Sequence, residues 1–176
     1  MLALHFILNT LIGLYQVVLL LRLLLQLTRA DFRNPLARAI VQLTDPVILP
    51  LRRVLPPLGK IDSASVLAVL LMALLKVWVL HLLLLGLATP GLQTLLRGVA
   101  LDVLKLVLKT YLFSIVLNAI LSFVAQSTYS PAHSLLASIC EPVLKPIRKH
   151  IPSVAGLDLS PLWACIAIQA LLIILP

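Results

Sequence analysis

A stretch of about thirty residues occurs twice in this chain, and the two copies match without a gap. Every matched position in the second copy lies 96 residues after its counterpart, as Pro131 follows Pro35 and Asp158 follows Asp62. The matched motif residues are Pro35, Asp45, Pro46, Pro50, Pro56 and Asp62 in the first copy, and Pro131, Glu141, Pro142, Pro146, Pro152 and Asp158 in the second. A repeat of this length predicts two copies of one structural unit.

The composition places these units in a membrane. The chain is 61% hydrophobic and only 11% charged, whereas soluble domains average about 45–50% apolar and about 25% charged residues. Its formal net charge is +8. In a membrane protein, such an excess favours cytoplasmic anchoring on acidic lipid headgroups. Nucleic acid is not expected as a partner, because no aromatic residues accompany the basic ones.

Four apolar stretches are candidate membrane spans, at about 3–27, 65–87, 103–124 and 159–175. They are predicted to be helices, because a chain in lipid must pair its backbone groups within each segment. The fourth is short for a hydrocarbon core of about 30 Å. Basic residues concentrate between spans one and two and between spans three and four, which predicts that both segments are cytoplasmic and both termini periplasmic. The predicted fold is therefore an all-α membrane protein with two parallel tandem repeats, at 1–89 and 103–176.

The two basic segments, 34–57 and 130–152, are predicted to be amphipathic helices in the headgroup plane. Apolar residues recur at helical spacing in each, and polar residues fill the other face. The prolines predict that each helix breaks into two pieces, with Asp45-Pro46 and Glu141-Pro142 as helix starts. The basic pairs are the candidate contacts with acidic lipid or a partner: Arg52 and Arg53, then Arg148 and Lys149.

Polar residues inside the spans are further candidates, because burying them in lipid is costly. Two stripes occupy equivalent positions in spans one and three: Tyr15, Arg22 and Gln26, then Tyr111, Asn118 and Ser122. One interpretation is interhelical hydrogen bonding, with Arg22 reaching the headgroups; the other is a polar cavity or a partner site. Lys76 lies near the middle of span two, and no acidic residue lies deep in any predicted span to pair with it.

No catalytic or cofactor chemistry is predicted. The sequence has no nucleophile–base pair, phosphate-binding glycine loop or metal-ligand cluster. A haem between His5 and His81 is conceivable, but interfacial histidines explain both positions more simply. Cys140 and Cys165 lie in different segments and are interpreted as small apolar residues.

The repeated pattern, NPLARAIVQLTDPVILPLRRVLPPLGKIDSAS and then SPAHSLLASICEPVLKPIRKHIPSVAGLDLSP, resembles that of the YggT family of bacterial and plastid membrane proteins. The similarity covers essentially the whole chain. Lys149 and His150 depart from it, since family members usually have an arginine and an apolar residue there. The resemblance implies a small multi-pass inner-membrane protein without known catalytic residues. It also implies links to osmotic stress and potassium handling, to cell division, or to cytochrome b maturation in plastids.

Two functions follow as expectations. The first is a non-enzymatic scaffold or assembly factor that binds membrane lipids and other membrane proteins, with homo-oligomerisation as an open option. The alternative is a component of osmoadaptation or potassium transport that uses the polar stripes and Lys76.

Overall fold

The computed structural model describes residues 2–55, 62–85, 91–124, 130–150 and 158–175, and every regular element in them is an α-helix. The helices are α1 Leu2–Leu27, α2 Pro35–Val54, α3 Ser63–Leu85, α4 Leu92–Val124, α5 Pro131–His150 and α6 Ser160–Ile174. The all-α prediction is confirmed, and α2 and α5 each begin at the first proline of a motif copy. Proline is favoured at a helix start, because its missing N–H would have no partner there.

Three of the described helices, α1, α3 and α4, are long and apolar enough to cross a membrane. Large apolar side chains point outward from them, as at Phe6 (68% exposed) and Phe113 (65%), which suits a lipid-facing surface. The fourth predicted span, α6, is apolar but has only 15 residues, or about 22 Å of helix. The four-span layout thus stays a prediction.

The start of α4 differs from the sequence prediction. The helix begins at Leu92, whereas the third span was expected from about Val103. Arg97 and Asp102 interrupt the apolar pattern, and the span was therefore expected to begin after them. The helix nevertheless continues through both residues, so Asp102 lies inside α4.

The prediction that prolines break the surface helices is wrong. Helix α2 runs unbroken through Pro46 and Pro50, and α5 through Pro142 and Pro146. All four prolines are on exposed faces, and each pair is four residues apart. The backbone hydrogen bonds that the prolines remove consequently lie on the exposed side of each helix. The side of the helix that faces the protein keeps its backbone hydrogen bonds.

The chain divides into two compact units, which comprise Met1–Leu23 with Ile40–Leu106 and Leu24–Ala39 with Val107–Pro176. In the first unit, α3 and α4 approach closely. A Cβ added at Gly98 of α4 would lie 2.9 Å from Val77 Cγ1 of α3, and Ala64, Ala68 and Ala73 of α3 are fully buried. Small residues allow helix backbones to come together in this way.

The second unit has an apolar core contributed by three helices. Its buried members are Ile115 of α4, Cys140 and Leu144 of α5, and Ala164 and Ile168 of α6. The start of α2 also belongs to this unit. Asn34 caps α2 by accepting the Leu36 backbone N–H at 2.9 Å, and its amide donates to the Pro131 carbonyl at 2.6 Å. One side chain thus joins the first turns of α2 and α5.

A left-handed residue ends α1. Arg29 has φ 52°, its N–H donates to the Gln26 carbonyl, and the Ala30 N–H donates to the Leu25 carbonyl. This pair of bonds is the Schellman motif, which usually has glycine at the left-handed position. The motif directs the chain from α1 toward α2.

Candidate functional site

The acidic residue of the first motif copy binds an arginine from α1. Arg22 is 2% exposed, and its Nη1 donates to Asp45 Oδ1 at 2.7 Å, to Thr44 Oγ1 at 2.7 Å and to the Val41 carbonyl at 3.1 Å. The interhelical hydrogen bonding predicted for the first polar stripe is therefore present at Arg22, and the part of that interpretation in which Arg22 reaches the headgroups stays a prediction. Its guanidinium anchors α2 on α1 one turn before Pro46, where the helix has lost an internal hydrogen bond.

The first arginine of the basic pair in the first copy binds the acid at the start of α3. Arg52 donates to Asp62 Oδ2 through Nη2 at 2.7 Å and Nε at 3.2 Å. Ser65 Oγ donates to the same oxygen at 2.7 Å, and the Asp62 side chain is 7% exposed. This ion pair links the last turn of α2 to the first turn of the next helix.

The equivalent residues of the second copy make an equivalent pair. Arg148 Nε donates to Asp158 Oδ2 at 2.7 Å, and Arg148 Nη1 donates to Glu141 Oε2 at 3.2 Å. Asp158 Oδ1 also accepts the Ser160 N–H at 2.9 Å, so Asp158 supports the start of α6. Partial burial opposes ionisation of Asp158, but the bonds from Ser160 and the Arg148 guanidinium outweigh it and lower its pKa.

The four basic candidates thus fall into two kinds. Arg52 and Arg148 are held in ion pairs within the chain. All four are exposed, but the side chains of Arg53 and Lys149 make no hydrogen bond or ion pair with another described residue. Binding of lipid or a partner by these four residues stays a prediction, and the geometry makes Arg53 and Lys149 the available pair.

Lys76 has an acidic partner after all. Its Nζ donates to Asp102 Oδ1 at 2.6 Å, and Gln16 Nε2 donates to Asp102 Oδ2 at 2.8 Å. The expectation that Lys76 lacks an acid failed because Asp102 was placed outside the third span. Gln16 was not singled out either; its position within an apolar span was the available signal.

These three residues, the Gln16–Lys76–Asp102 cluster, join α1, α3 and α4 inside the first unit. The side chains of Lys76 and Asp102 are 15% and 17% exposed, and Gln16 is fully buried. Gln16 Oε1 is a buried acceptor without a hydrogen-bond donor among the described residues. A Cβ added at Gly13 of α1 would lie 3.9 Å from Lys76 Nζ, an ordinary contact distance, so the ammonium group lies directly beside α1.

The cluster has no counterpart at the 96-residue offset. The positions equivalent to its members hold Leu112, Leu172 and Phe6. These apolar side chains cannot form an ion pair or a hydrogen bond like those of the cluster. The cluster therefore belongs to the first unit alone, unlike the Arg–Asp pairs.

The remaining predicted residues have separate places. Tyr15 donates to the Leu43 carbonyl at 3.3 Å, so two members of the first polar stripe contact α2. Asn118 is buried in α4, Tyr111 and Gln26 are half-buried, and Ser122 is exposed. Pro56 and Pro152 lie outside the described residues.

Within the described ranges, no three His, Cys, Asp or Glu side chains form a group that could hold a metal ion. The lack of a metal or cofactor stays a prediction.

The helices and their polar contacts define an all-α membrane protein whose two motif copies form corresponding ion pairs. The sequence matches the family described as CCB3/YggT over residues 1–83 and 98–176. It is 44% identical to an uncharacterized protein of Pseudomonas aeruginosa over 93% of this chain and 83% of that protein. It is also 38% identical to the uncharacterized protein YggT of Escherichia coli K12, over 90% and 81% of the two chains.

An uncharacterized protein of Vibrio alginolyticus is 39% identical over 95% of this chain and 90% of its own length. No solved structure matches. The chain belongs to the CCB3/YggT family, which confirms the resemblance found in its motifs.

Proposed function

We propose that this protein is a non-enzymatic scaffold or assembly factor of the bacterial inner membrane. In this proposal α2 and α5 lie on the cytoplasmic face, and both termini are periplasmic. Arg53 and Lys149 then bind acidic headgroups or an acidic surface of a partner membrane protein. The observation that carries the proposal is the division of each exposed basic pair into one residue in an ion pair within the chain and one residue without such a pair.

The surface of α2 supports this arrangement. Ala37, Thr44 and Ile48 form its buried stripe, and Leu36 and Leu43 are 43% and 61% exposed on an adjacent stripe. A helix that exposes an apolar stripe next to a basic stripe is suited to the boundary between the acyl chains and the headgroups of a membrane. Each lysine or arginine near an anionic surface adds about 1 kcal/mol of attraction.

The test reverses only the exposed cations. The Arg53→Glu/Lys149→Glu variant is compared with wild type by in-membrane crosslinking and pull-down in mild detergent. We expect partners caught by the wild type to be lost, because the reversed charges repel an acidic surface. Thermal unfolding should change little, since neither side chain is in a hydrogen bond or ion pair with another described residue.

The matched control is Arg53→Lys/Lys149→Arg, which keeps both charges and should retain every partner. Native mass spectrometry of the three proteins, with phosphatidylglycerol or phosphatidylcholine present, separates lipid binding from partner binding. Equal partner recovery and equal anionic-lipid retention in all three proteins contradict the proposal.

A second candidate is the potassium-transport or osmoadaptation component, and the observation that favours it is the Gln16–Lys76–Asp102 cluster. Charged residues inside membrane segments commonly mark ion or proton pathways. Potassium flux into vesicles containing wild type or Lys76→Leu/Asp102→Leu discriminates the two functions. Transport requires a flux that the double variant loses, whereas the scaffold proposal expects both proteins to match empty vesicles.

A further inference from the structure

Helix α6 has an exposed stripe with the spacing of a helix–helix contact. The stripe, called here the α6 seam, consists of Leu162, Ile166, Gln169 and Ile173. Its successive separations of four, three and four residues give the 3.5-residue period with which paired helices contact each other. Leu162, Ile166 and Ile173 are 56%, 51% and 75% exposed, and Gln169 is also exposed. The packed side of α6 is a different stripe, represented by Ala164 and Ile168.

A groove of about 500 Å³ follows this seam within the second unit. Leu112 of α4 contributes to it, together with Ile166, Gln169 and Ile173 of the seam and the smaller Cys165 and Ala170. Small residues beside a seam let a second helix approach closely. The groove can therefore receive the side chains of another helix.

Gln169 is the polar group that requires such a neighbour. Its amide lies on an otherwise apolar seam and makes no hydrogen bond with another described residue. An amide left without partners in hydrocarbon is costly, whereas glutamine side chains that bond across helices stabilise their association. A single polar residue in an apolar seam also sets the register of the pair.

We propose that the α6 seam binds the α6 seam of a second copy of this chain, with the two Gln169 amides hydrogen-bonded to each other. An amide both donates and accepts, so two symmetry-related glutamines satisfy one another. A contact in which each copy uses the same surface closes as a dimer. The short length of α6, about 22 Å against a core of about 30 Å, also favours association in the membrane. This inference rests on the proposed placement of α6 in the membrane.

The test measures self-association of the full chain in phosphatidylglycerol/phosphatidylcholine vesicles, by energy transfer between copies fused to donor and acceptor fluorescent proteins. We expect Gln169→Leu to weaken association about 3- to 20-fold, the range of typical interhelical hydrogen bonds in membranes. Gln169→Asn should retain much of it. Gln169→Leu/Leu171→Gln has the wild-type composition but moves the amide to another face of α6, and its self-association should remain weak.

Equal self-association of Gln169→Leu and wild type overturns the proposal. Recovery of association in Gln169→Leu/Leu171→Gln also overturns it.

Crosslinking identifies the occupant. In a Cys140→Ser/Cys165→Ser background, oxidation should join two copies through Ile166→Cys or Ile173→Cys but not through Leu171→Cys. Crosslinks at the seam to a different protein, without homodimers, overturn the proposal.

Brominated lipids test the underlying placement. In a Trp78→Phe background they should quench Trp163 at the start of α6. Absence of quenching also overturns the dimer proposal. This failure can be told apart from failure of the proposed scaffold function, because the charge-reversal experiment does not involve α6.

Discussion

At the scale of the residue, the surroundings of Cys140 change its chemistry. The side chain is fully buried in the core shared by α4, α5 and α6. Burial disfavours the thiolate and, with a smaller effect of Cys165, outweighs Arg148 and raises the pKa of Cys140 to about 12. The interpretation of this cysteine as a small apolar residue agrees with its position, because the reactive form of a cysteine is the thiolate.

We expect Cys140 to resist alkylation in the folded protein. In a Cys165→Ser background, the rate at pH 8 should be lower than in the denatured chain by about a hundredfold or more, because burial alone still raises the pKa and reduces the thiolate fraction. The rate should increase about tenfold per pH unit without levelling off near pH 9. Because the pKa is raised on folding, the contribution of this thiol to stability is complete below the unfolded pKa. It is lost as pH rises from about 9 towards 12. A plateau near pH 9 would show that the thiol is not buried.

At the scale of the element, the two Arg–Asp pairs have the same sequence spacing but different surroundings. Asp62 is 7% exposed and also accepts from Ser65, whereas Asp158 is 42% exposed. Water screens the second pair, and such exposed pairs contribute about 0.2–1 kcal/mol. Removing the arginine from the first pair leaves a buried carboxylate, which costs more.

The expected result is that Arg52→Ala destabilises the protein more than Arg148→Ala. We expect a loss of about 1–3 kcal/mol for the first variant and under about 1 kcal/mol for the second. Thermal unfolding in lipid nanodiscs measures the difference, and each variant is the matched control of the other. Equal losses would contradict the role assigned to burial of Asp62.

At the scale of the whole molecule, the Gln16–Lys76–Asp102 cluster joins parts of the chain that are far apart in sequence. Its three helices surround a charge pair that is largely buried, with a distance of 2.6 Å between Lys76 Nζ and Asp102 Oδ1. A single substitution leaves one buried charge uncompensated, whereas removal of both charges leaves none. Replacing Lys76 alone is therefore expected to change the stability of the helix packing as well as any transport activity.

We predict that Lys76→Leu and Asp102→Leu each cost about 3–5 kcal/mol, and that the Lys76→Leu/Asp102→Leu variant is closer to wild type than either. Unfolding in nanodiscs measures all three. Lys109→Leu is the control, because Lys109 is an exposed α4 lysine whose side chain is in no hydrogen bond or ion pair with another described residue. Additive losses in the double variant would contradict a direct charge pair.

Hydrophobic periodicity and the repeated motif determined the helical class, the family and the approximate positions of all six helices. Apolar length and helical spacing are local properties, which the order of residues alone specifies. Three features depended on the tertiary structure: the pairing of Lys76 with Asp102, the burial of Arg22 against α2, and the continuity of α2 and α5 through their prolines. Each depends on which side chains from distant segments come within hydrogen-bond distance, and on which face of a helix is left exposed. Those relations arise only when the helices pack.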